Sequence, residues 1–392
     1  MRDIRIVIGA NYGDEGKGLM TDYFAAEALG RKRRTLVICS NGGAQRGHTV
    51  TTPEGVRHVF HHFGSGTLAG ADTWLPRFYI VNPMFFMNEY EELAGKGVRD
   101  IRIFMDPECP VTTPFDMITN QLLEEARGDR RHGSCGAGIW ETLLRQGPGL
   151  AKMRDMTDNE LMRYLDGPCR KQLQERLAAA EISGISKDWK EIIEDKGLLE
   201  NYVNDLRAML SLAELREGGI LKEYDRLIFE NGQGLLLDRS RREYGCHTTP
   251  SNTGLRNPAQ LIRENLRGET ADAECCYVSR TYLTRHGAGP FKEQCAKEEI
   301  NAGMRDLTNV PNPHQGTMRY GKPDAREFRR RILEDYDSER LPAGIAKRLS
   351  IAVTHVNEYR SEPEEQADYL SDGETRDHTV FLNDAETRKQ IA

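Results

Sequence analysis

The sequence lacks any apolar run long enough to cross a bilayer, and it has no apolar stretch near its start of the kind that a signal peptide needs. Its first ten residues, MRDIRIVIGA, carry charged side chains instead. An excess of positive charge is also missing, since 54 Lys and Arg stand against 61 Asp and Glu and the formal net charge is −7. We therefore expect a cytoplasmic protein that binds neither a membrane nor nucleic acid.

Closely spaced cysteine ligands are missing as well. The eight cysteines are scattered, with no Cys-x-x-Cys pair and no histidine at zinc-ligand spacing. This pattern argues against a zinc site and a disulfide framework, and it favours a reducing compartment. Hydrophobic residues make up 38% and charged residues 29% of the 392 residues, which is typical of a soluble globular protein.

The sequence does contain the pattern of an α/β protein with a mostly parallel central sheet flanked by helices. RDIRIVIGA (2–10) predicts a strand, KGLMTDYFAAEAL (17–29) a helix and RTLVIC (34–39) a second strand, which together make a β-α-β unit. Further strands are predicted at RFYIV, IRIFM, RLIFE, CCYVSRTYLT and RLSIAVTHVN. The stretch 150–224 is rich in Leu, Glu, Lys and Arg, and we expect a helical subregion there within a single domain spanning 1–392.

Polar segments follow four of these strands, after Ile8, Ser40, Phe229 and Val353. Ligands in an open parallel sheet bind beyond the carboxyl ends of the strands, so these segments predict one shared site. The first of them, GANYGDEGKG (9–18), is similar to a phosphate-binding loop without the usual Ser or Thr after its lysine. Its glycines let backbone N–H groups approach a phosphate, and its lysine supplies positive charge at the start of a helix.

GDEGKG, together with NGGAQRGHTV (41–50) and FENGQGLLLD (229–238), resembles the adenylosuccinate synthetase family. The resemblance continues in RHGSCGAGI, HTTPSNT, TRHGAGPF and GETRDHT, so that it extends from residue 4 to 379. It implies a P-loop-related α/β fold and a ligase that joins L-aspartate to C6 of a 6-oxopurine nucleotide, with a nucleoside triphosphate and Mg²⁺. The resemblance also implies that the 6-oxygen is phosphorylated first and that the aspartate amine then displaces phosphate.

The resemblance assigns catalytic roles to four residues. Asp14 is expected to remove the purine N1 proton and, with the carbonyl of Gly47, to bind Mg²⁺. The alternative for this carboxylate is a purely structural interaction with the helix N-terminus. Lys17 is expected to neutralise phosphate charge, His48 to hydrogen-bond the transferred phosphoryl group, and Gln233 to hold the acceptor nucleotide.

Substrate-binding residues are implied by the same resemblance. Thr249 and the 133–136 loop, in which Ser134 and Cys135 replace a Thr-Thr pair, are expected to hold the acceptor nucleotide. Arg145 is the match for an arginine that crosses from a second subunit, which implies a homodimer. The other expected nucleotide contacts are Gly13, Glu15, Gly16, Gly18, Gln45, Gly47, Thr49, Arg319, His355, Asn357, Ser371 and Gly373. The expected aspartate loop comprises His314, Gln315, Gly316, Thr317 and Arg319.

The phosphate donor is the first point at which the sequence departs from the family. Where other members have Thr-Lys-Leu-Asp, whose carboxylate recognises guanine, this chain has VTHVN, so His355 replaces the lysine and Asn357 the aspartate. An asparagine amide offers one acceptor and one donor, which suits adenine, and we expect ATP to be preferred over GTP. The alternative is that Asn357 only shapes the turn.

Two further departures concern the acceptor and L-aspartate. Thr317 replaces an arginine of the aspartate loop, although L-aspartate remains the expected amine. Ala44 and Gln45 replace a His-Asn pair beside the acceptor base, which resembles the phage 2-aminoadenylosuccinate synthetases that use dGMP. That branch usually has Ser in place of Asp14, so the expected acceptor is IMP and the alternative is GMP or dGMP.

Two non-enzymatic classes are the remaining alternatives. A regulatory nucleotide-binding switch predicts Ser or Thr at the position of Gly18, and it gives no role to Gln233, Thr249 or the 314–324 loop. A scaffold without activity has little reason to keep Asp14 and His48 together. We therefore expect an enzyme.

Overall fold

The computed structural model describes residues 2–304 and 316–382. Within them, the strands are β1 (Arg2–Gly9), β2 (Thr35–Cys39), β3 (Gly42–Gly43), β4 (His48–Thr51), β5 (Arg57–Phe60), β6 (Asp72–Leu75), β7 (Tyr79–Ile80), β8 (Ile103–Met105), β9 (Ala213–Leu215), β10 (Arg226–Glu230), β11 (Ala271–Arg280), β12 (Leu283–Arg285), β13 (Gln294–Cys295), β14 (Arg319–Gly321), β15 (Ile345–Thr354), β16 (Tyr369–Ser371) and β17 (Thr379–Phe381).

The α-helices of the same residues are α1 (Lys17–Gly30), α2 (Pro83–Gly95), α3 (Pro114–Arg127), α4 (Ile139–Arg145), α5 (Leu150–Asp155), α6 (Asp158–Tyr164), α7 (Arg170–Ala179), α8 (Lys187–Glu194), α9 (Lys196–Leu212), α10 (Arg256–Asn265), α11 (Lys297–Asn301) and α12 (Ala325–Ser338). In the part of the chain that the structure describes, none of these helices has the length and apolar character needed to cross a membrane.

Ten strands form the central sheet in the order β17-β16-β15-β11-β1-β10-β2-β6-β8-β9. Neighbouring strands run parallel except at one edge, where β16 and β17 pair antiparallel. The sequence TLVIC of β2 is buried throughout, as expected for a parallel strand that is covered on both faces. The predicted class, a mostly parallel sheet flanked by helices, is confirmed.

The first β-α-β unit is also confirmed, but its two strands are not neighbours. Strand β10 lies between β1 and β2 and pairs in parallel with both. The predicted strand RFYIV is only partly correct, because β7 pairs with β3 outside the central sheet. The corresponding strand of the central sheet is β6, which the sequence analysis missed because DTWL is short and begins with polar residues.

The predicted helical subregion 150–224 contains α5 to α9, but it also supplies a strand. Strand β9 leaves the end of α9 and pairs with β8, so that it forms one edge of the central sheet. Apolar side chains of α9, among them Tyr202, Leu206 and Met209, are buried in a cluster that also holds Phe86 of α2 and Phe115 of α3. This region is therefore part of the core around the sheet rather than an appended helical layer.

The carboxyl ends of β1, β2, β10 and β15 determine where the site lies. These strands and β11 are consecutive in the sheet order β15-β11-β1-β10-β2. The polar segments that follow the four strands therefore lie side by side at the carboxyl ends of the strands, as predicted from the sequence.

Candidate active site

The loop between β1 and α1 is closed by one of its own carboxylates. Glu15 accepts hydrogen bonds from the backbone N–H groups of Asn11 (2.8 Å) and Gly13 (3.0 Å) and lies 3.1 Å from the Nζ of Lys17. The side chains of Glu15 and Lys17 are each 2% exposed. Glu15 was expected to contact nucleotide, and the structure turns its carboxylate inward, where it organises the loop.

The residues on either side of Glu15 have left-handed backbone conformations. Asp14 has φ 59° and Gly16 has φ 90°. A side chain at Gly18 has no room, because a Cβ atom would lie 2.8 Å from the backbone oxygen of Thr49 and 3.2 Å from the Cβ of His48. Close packing of β4 on the start of α1 therefore explains why the Ser or Thr of a standard phosphate loop is absent.

A cavity of about 450 Å³ opens at the carboxyl ends of these strands. It is lined by all four predicted catalytic residues, Asp14, Lys17, His48 and Gln233. Other predicted residues that line it are Gly13, Gln45, Gly47, Ser134, Cys135 and Thr249. Residues distant in the sequence are thus brought to one concave surface, which is where ligands bind in most enzymes.

Asp14 contacts a histidine in the wall of this cavity. The Nε2 atom of His286 lies 3.2 Å from Oδ2 of Asp14, and the two side chains remain 23% and 29% exposed. The backbone carbonyl of Asp14 accepts a hydrogen bond from Nε of Arg280. The aspartate is therefore held at both its backbone and its side chain while its carboxylate stays accessible.

His48 is held from behind by a buried carboxylate. Its Nδ1 lies 2.7 Å from Oε1 of Glu230, which is fully buried at the end of β10. Burial would raise the pKa of Glu230, but Arg46 and His48 lower it to about 2. Burial lowers the pKa of His48 to about 4, although Glu230 opposes that shift. An ionised carboxylate and a neutral imidazole are thus the stable forms near neutral pH, with Nδ1–H donating to Glu230.

Two glutamine amides at the cavity have unused hydrogen-bonding capacity. In the described part of the chain, neither Nε2 nor Oε1 of Gln45, nor Oε1 of Gln233, has a hydrogen-bond partner, although all three atoms are buried. The two amides flank Gly42, where a Cβ atom would lie 3.6 Å from each. Buried amides without partners are costly, so these groups are suited to a polar ligand such as a purine edge.

The predicted acceptor loop is anchored from α3. Ser134 donates its hydroxyl to Oδ1 of Asn120 at 2.7 Å, and Glu124 accepts the backbone N–H groups of Gly133 (3.0 Å) and Ser134 (3.3 Å). Burial raises the pKa of the Cys135 thiol, which keeps it protonated. The Ser134 hydroxyl is thus already engaged within the protein, whereas Cys135 lines the cavity as a weak donor.

Arg145 does not have the environment expected of an arginine that reaches into a second subunit. Its side chain is 5% exposed and forms an ion pair with Asp116 at 3.0 Å. It also donates to the hydroxyl of Tyr164 and the backbone oxygen of Val111. These partners within the same chain engage the guanidinium, and the expected contact of Arg145 with a nucleotide across a dimer stays a prediction.

The predicted donor residues lie beside the phosphate loop and outside the cavity lining. The hydroxyl of Thr354, at the end of β15, donates to the backbone oxygen of Glu15 at 3.0 Å. His355 follows it with φ 63° and a 2.8 Å contact between its Nδ1 and the Thr354 hydroxyl. Asn357 is exposed, and the buried Ser371 belongs to β16, with Gly373 in the segment after it. This group lies next to the phosphate loop, and its expected contacts with the base and ribose of the donor nucleotide stay a prediction.

The aspartate loop is described only in part, because His314 and Gln315 lie outside the described residues. Gly316, with φ 71°, and Thr317 are exposed. Arg319 donates to the backbone oxygens of Gly287 (3.3 Å) and Gly289 (2.8 Å). It therefore supports the glycine-rich segment that carries His286, and it does not line the cavity.

The oxygen donors at the site suit Mg²⁺ bound together with a phosphate. In the described residues there is no group of three or more His, Cys, Asp or Glu side chains that could hold a metal ion. Mg²⁺ commonly uses one or two carboxylates plus substrate phosphates rather than a complete protein cage. Asp14 and the exposed backbone of Gly47 line the same cavity, so the predicted pair fits this mode.

Several cavity residues were not identified from the sequence. They are His286, Arg46, Asn120, Glu124, Trp140 and Arg176, and Glu230 lies behind them. His286 could have been found, because it lies inside the motif TRHGAGPF. The others depend on contacts between distant segments and carry no local signal.

Comparison with known sequences places the chain in a family. The sequence profile described as adenylosuccinate synthetase matches residues 6–316. The chain belongs to the adenylosuccinate synthetase family. Members of this family are ligases that form a carbon–nitrogen bond.

Curated adenylosuccinate synthetases are identical to this chain at just over a quarter of the aligned positions. The adenylosuccinate synthetase of Alkaliphilus metalliredigens is 28% identical over 302 residues, which are 75% of this chain and 66% of that protein. The adenylosuccinate synthetase of Neisseria meningitidis is 28% identical over 315 residues, which are 77% of this chain and 67% of that protein. The aligned part thus spans about two thirds of the length of these relatives.

Two solved structures share the fold. A fully ligated adenylosuccinate synthetase from Plasmodium falciparum superposes with a TM-score of 0.69 at 15% identity, covering 97% of this chain and 99% of that one. The succinoaminodeoxyadenylate synthetase of cyanophage S-2L, bound to dGMP and dATP, superposes with a TM-score of 0.63 at 14% identity, covering 100% and 98%. The family fold therefore extends over nearly all of the chain.

Proposed function

We propose that this protein joins L-aspartate to C6 of a 6-oxopurine nucleotide at the expense of a nucleoside triphosphate. The observation that carries the proposal is the convergence of Asp14, Lys17, His48 and Gln233 on one cavity. Family membership supports the reaction class. The lead acceptor is IMP, the product would then be adenylosuccinate, and the protein would act in the cytoplasm.

The proposed reaction is the one that the family resemblance implies, and these side chains have suitable chemistry for each step. The carboxylate of Asp14 removes the N1 proton, and the negative charge moves to O6 of the purine. O6 attacks the γ-phosphoryl group and the nucleoside diphosphate leaves, with Lys17 and His48 stabilising the charge that develops. The neutral aspartate amine then forms the C6–N bond as the C6–O bond breaks, and inorganic phosphate leaves with O6 and with the proton that the amine loses. Mg²⁺ held at Asp14 and Gly47 supplies neutralising charge on the phosphates.

The amides of Gln45 and Gln233 are proposed to hold the acceptor base. Each can present a donor and an acceptor to a purine edge, and within the described protein both amide atoms of Gln45 and Oε1 of Gln233 lack a hydrogen-bond partner. The proposed contacts to the rest of the acceptor come from Thr249 and the Ser134–Cys135 loop, which line the same cavity. L-aspartate is proposed to enter from the 314–319 loop.

ATP is the proposed donor. The position of Asn357 near the end of β15, close to the phosphate loop, supports the argument that an amide there reads adenine. The cyanophage protein of the same fold is described with dATP as its energy donor, which agrees with this choice.

GMP or dGMP is the second candidate for the acceptor. The cyanophage structure contains dGMP, and this chain matches that fold along its whole length. The free amide of Gln45 also favours it, because it adds hydrogen-bonding capacity beside the acceptor site. The retained Asp14, which that phage branch usually lacks, favours IMP.

A competition assay tests the proposal. The enzyme, Mg²⁺ and L-aspartate are mixed with equal amounts of IMP, GMP and dGMP, with either ATP or GTP, and succinyl adducts are identified by mass spectrometry. An adduct of IMP alone supports the lead proposal, and an adduct of GMP or dGMP supports the second candidate. Absence of every adduct with both triphosphates would reject the ligase reaction.

The homodimer is proposed on the family resemblance and on one surface feature. Trp140 and Leu144 of α4 are 53% and 45% exposed, which is unusual for large apolar side chains. Analytical ultracentrifugation with and without the acceptor nucleotide tests the proposed homodimer, and a monomer under both conditions would reject the dimer.

A further inference from the structure

Arg46 lies in the segment GGAQRGHT and is completely enclosed. Its side chain is 0% exposed, and its NH1 lies 3.0 Å from Oε2 of Glu230. Nε donates to the backbone oxygen of His61 (3.0 Å) and NH2 to that of Phe63 (2.7 Å). Burying an arginine costs free energy unless the guanidinium is paired and hydrogen-bonded, and these three acceptors meet that requirement.

Glu230 connects Arg46 to His48, because its carboxylate contacts both side chains. Its Oε2 accepts from Arg46 and from the backbone N–H of Ser65 at 3.1 Å. Its Oε1 accepts from the hydroxyl of Ser65 and faces Nδ1 of His48 at 2.7 Å. Both oxygens are thus fully engaged, and the carboxylate has one orientation available.

We propose that Arg46 and Glu230 position His48, by fixing the orientation of its ring and the tautomer with hydrogen on Nδ1. This inference rests on the proposed function, in which His48 acts on the transferred phosphoryl group. Glu230 occupies Nδ1, so Nε2 is the ring nitrogen left for a ligand. A fixed ring costs no reorganisation when charge develops on the phosphoryl group, which is how such groups accelerate a reaction.

The competing explanation is that Arg46 only anchors the backbone at His61 and Phe63. Under that explanation the loss of Glu230 lowers stability and affects activity equally with or without His48. Under the proposal Glu230 acts through His48, so its effect on activity disappears once His48 is gone. A double-mutant cycle separates the two explanations.

The variants are Glu230→Gln, His48→Asn and their combination. We expect Glu230→Gln to lower kcat by about 10- to 100-fold, as loss of a positioning partner typically does, with a smaller change in KM for the nucleotides. In the His48→Asn background the same substitution should change kcat by less than about threefold. An equal loss in both backgrounds, or an unchanged kcat for Glu230→Gln, would overturn the proposal.

Folding of the variants is controlled in two ways. The pair Arg46→Met with Glu230→Gln removes both buried charges together and avoids leaving one uncompensated. We expect it to fold and to show the same loss of kcat, and a wild-type kcat would overturn the proposal. Glu274→Gln is the matched control, because Glu274 is a fully buried carboxylate bound to Arg348, Ser350 and Tyr369, in another part of the sheet. It should lower Tm and leave kcat unchanged.

An NMR measurement reads the tautomer without any reaction. In protein with ¹⁵N-labelled histidine, Nδ1 of His48 should give the shift of a protonated nitrogen, and Glu230→Gln should shift it towards a mixture of tautomers. An unprotonated Nδ1 in the wild-type protein would reject the positioning proposal alone. A fully active His48→Asn would instead reject the role of His48 in the proposed function.

Discussion

The imidazole of His286 contacts the carboxylate of Asp14 in the wall of the cavity, with Nε2 and Oδ2 3.2 Å apart. The proposed base is therefore oriented by a residue from the segment after β12, more than two hundred residues along the chain. The carboxylate side chain of Asp14 stays 29% exposed, so it remains accessible to a ligand.

Replacing Asp14 by Asn should lower kcat by about 10²- to 10⁴-fold, because the amide cannot accept the N1 proton. Nucleotide binding, measured by isothermal titration calorimetry, should change little since shape and size are kept. Asp272→Asn is the control, because Asp272 is exposed near the start of β11, away from the site. A turnover near the wild-type value would remove Asp14 from the mechanism.

Replacing His286 by Asn should lower kcat by about tenfold to a hundredfold, which corresponds to the ~1.5–3 kcal/mol of a hydrogen bond to a charged group. The effect should vanish when Asp14→Asn is already present, because the histidine acts on the carboxylate. Steady-state kinetics of the two single variants and the double variant measure this. Additive losses would mean that His286 contacts the substrate independently.

Replacing Gly18 by Ser should not create a working phosphate loop. The new Cβ would meet the backbone oxygen of Thr49 at 2.8 Å, so we expect a loss of stability of ~1–3 kcal/mol and lower activity. Gly30→Ala, at the other end of α1, is the control, since a Cβ there meets nothing within 4 Å. It should be neutral or stabilising in thermal unfolding. Increased activity of Gly18→Ser would contradict the packing explanation.

The stability of the fold should fall between about pH 4 and pH 7 through Asp22. This residue of α1 is fully buried, and burial raises its pKa from 3.8 to about 6, although its partner Arg376 lowers it. The pKa of Asp22 is higher in the folded than in the unfolded protein. Its contribution to the free energy of unfolding is therefore complete below about pH 4 and is lost as the pH rises through about 6. At ~1.4 kcal/mol per pKa unit, the loss is about 3 kcal/mol.

Asp22→Asn tests this contribution, because an amide does not ionise. In denaturant unfolding, the free energy of unfolding of the variant, relative to that of the wild-type protein, should rise by up to ~3 kcal/mol between pH 4 and pH 7. Asp166→Asn is the control, since Asp166 also pairs with an arginine, Arg170, but is 62% exposed. A pH-independent difference between Asp22→Asn and the wild-type protein would show that Asp22 has an ordinary pKa.

Replacing Asn357 by Asp should move the donor preference towards GTP. The carboxylate can accept the N1–H and N2–H groups of guanine, and it lacks the donor that adenine N1 requires. We expect kcat/KM to shift by about 10- to 100-fold in the ratio of GTP to ATP, the range that one or two mismatched hydrogen bonds produce. An unchanged ratio would mean that Asn357 only shapes the turn after β15.

The sequence alone was sufficient for the class of fold and for much of the cavity. Short, nearly continuous apolar runs predicted β1, β2, β10, β11 and β15, because parallel strands that are covered on both faces carry apolar residues on both. The loops after them could be assigned to one edge, since parallel strands end together. Short strands such as β6 and β9 escaped prediction, because three or four residues give no period and their pairing comes from neighbours.

What the sequence by itself determined was the set of candidate catalytic groups, since Asp14, Lys17, His48 and Gln233 lie in glycine-rich motifs that resemble those of the family. Only the tertiary structure decided how those groups are held. It placed His286 against Asp14 and Glu230 behind His48, and it enclosed Arg145 with Asp116. The physical reason is that hydrogen bonds and ion pairs depend on distances of a few ångströms between segments far apart in the chain, which a linear pattern does not specify.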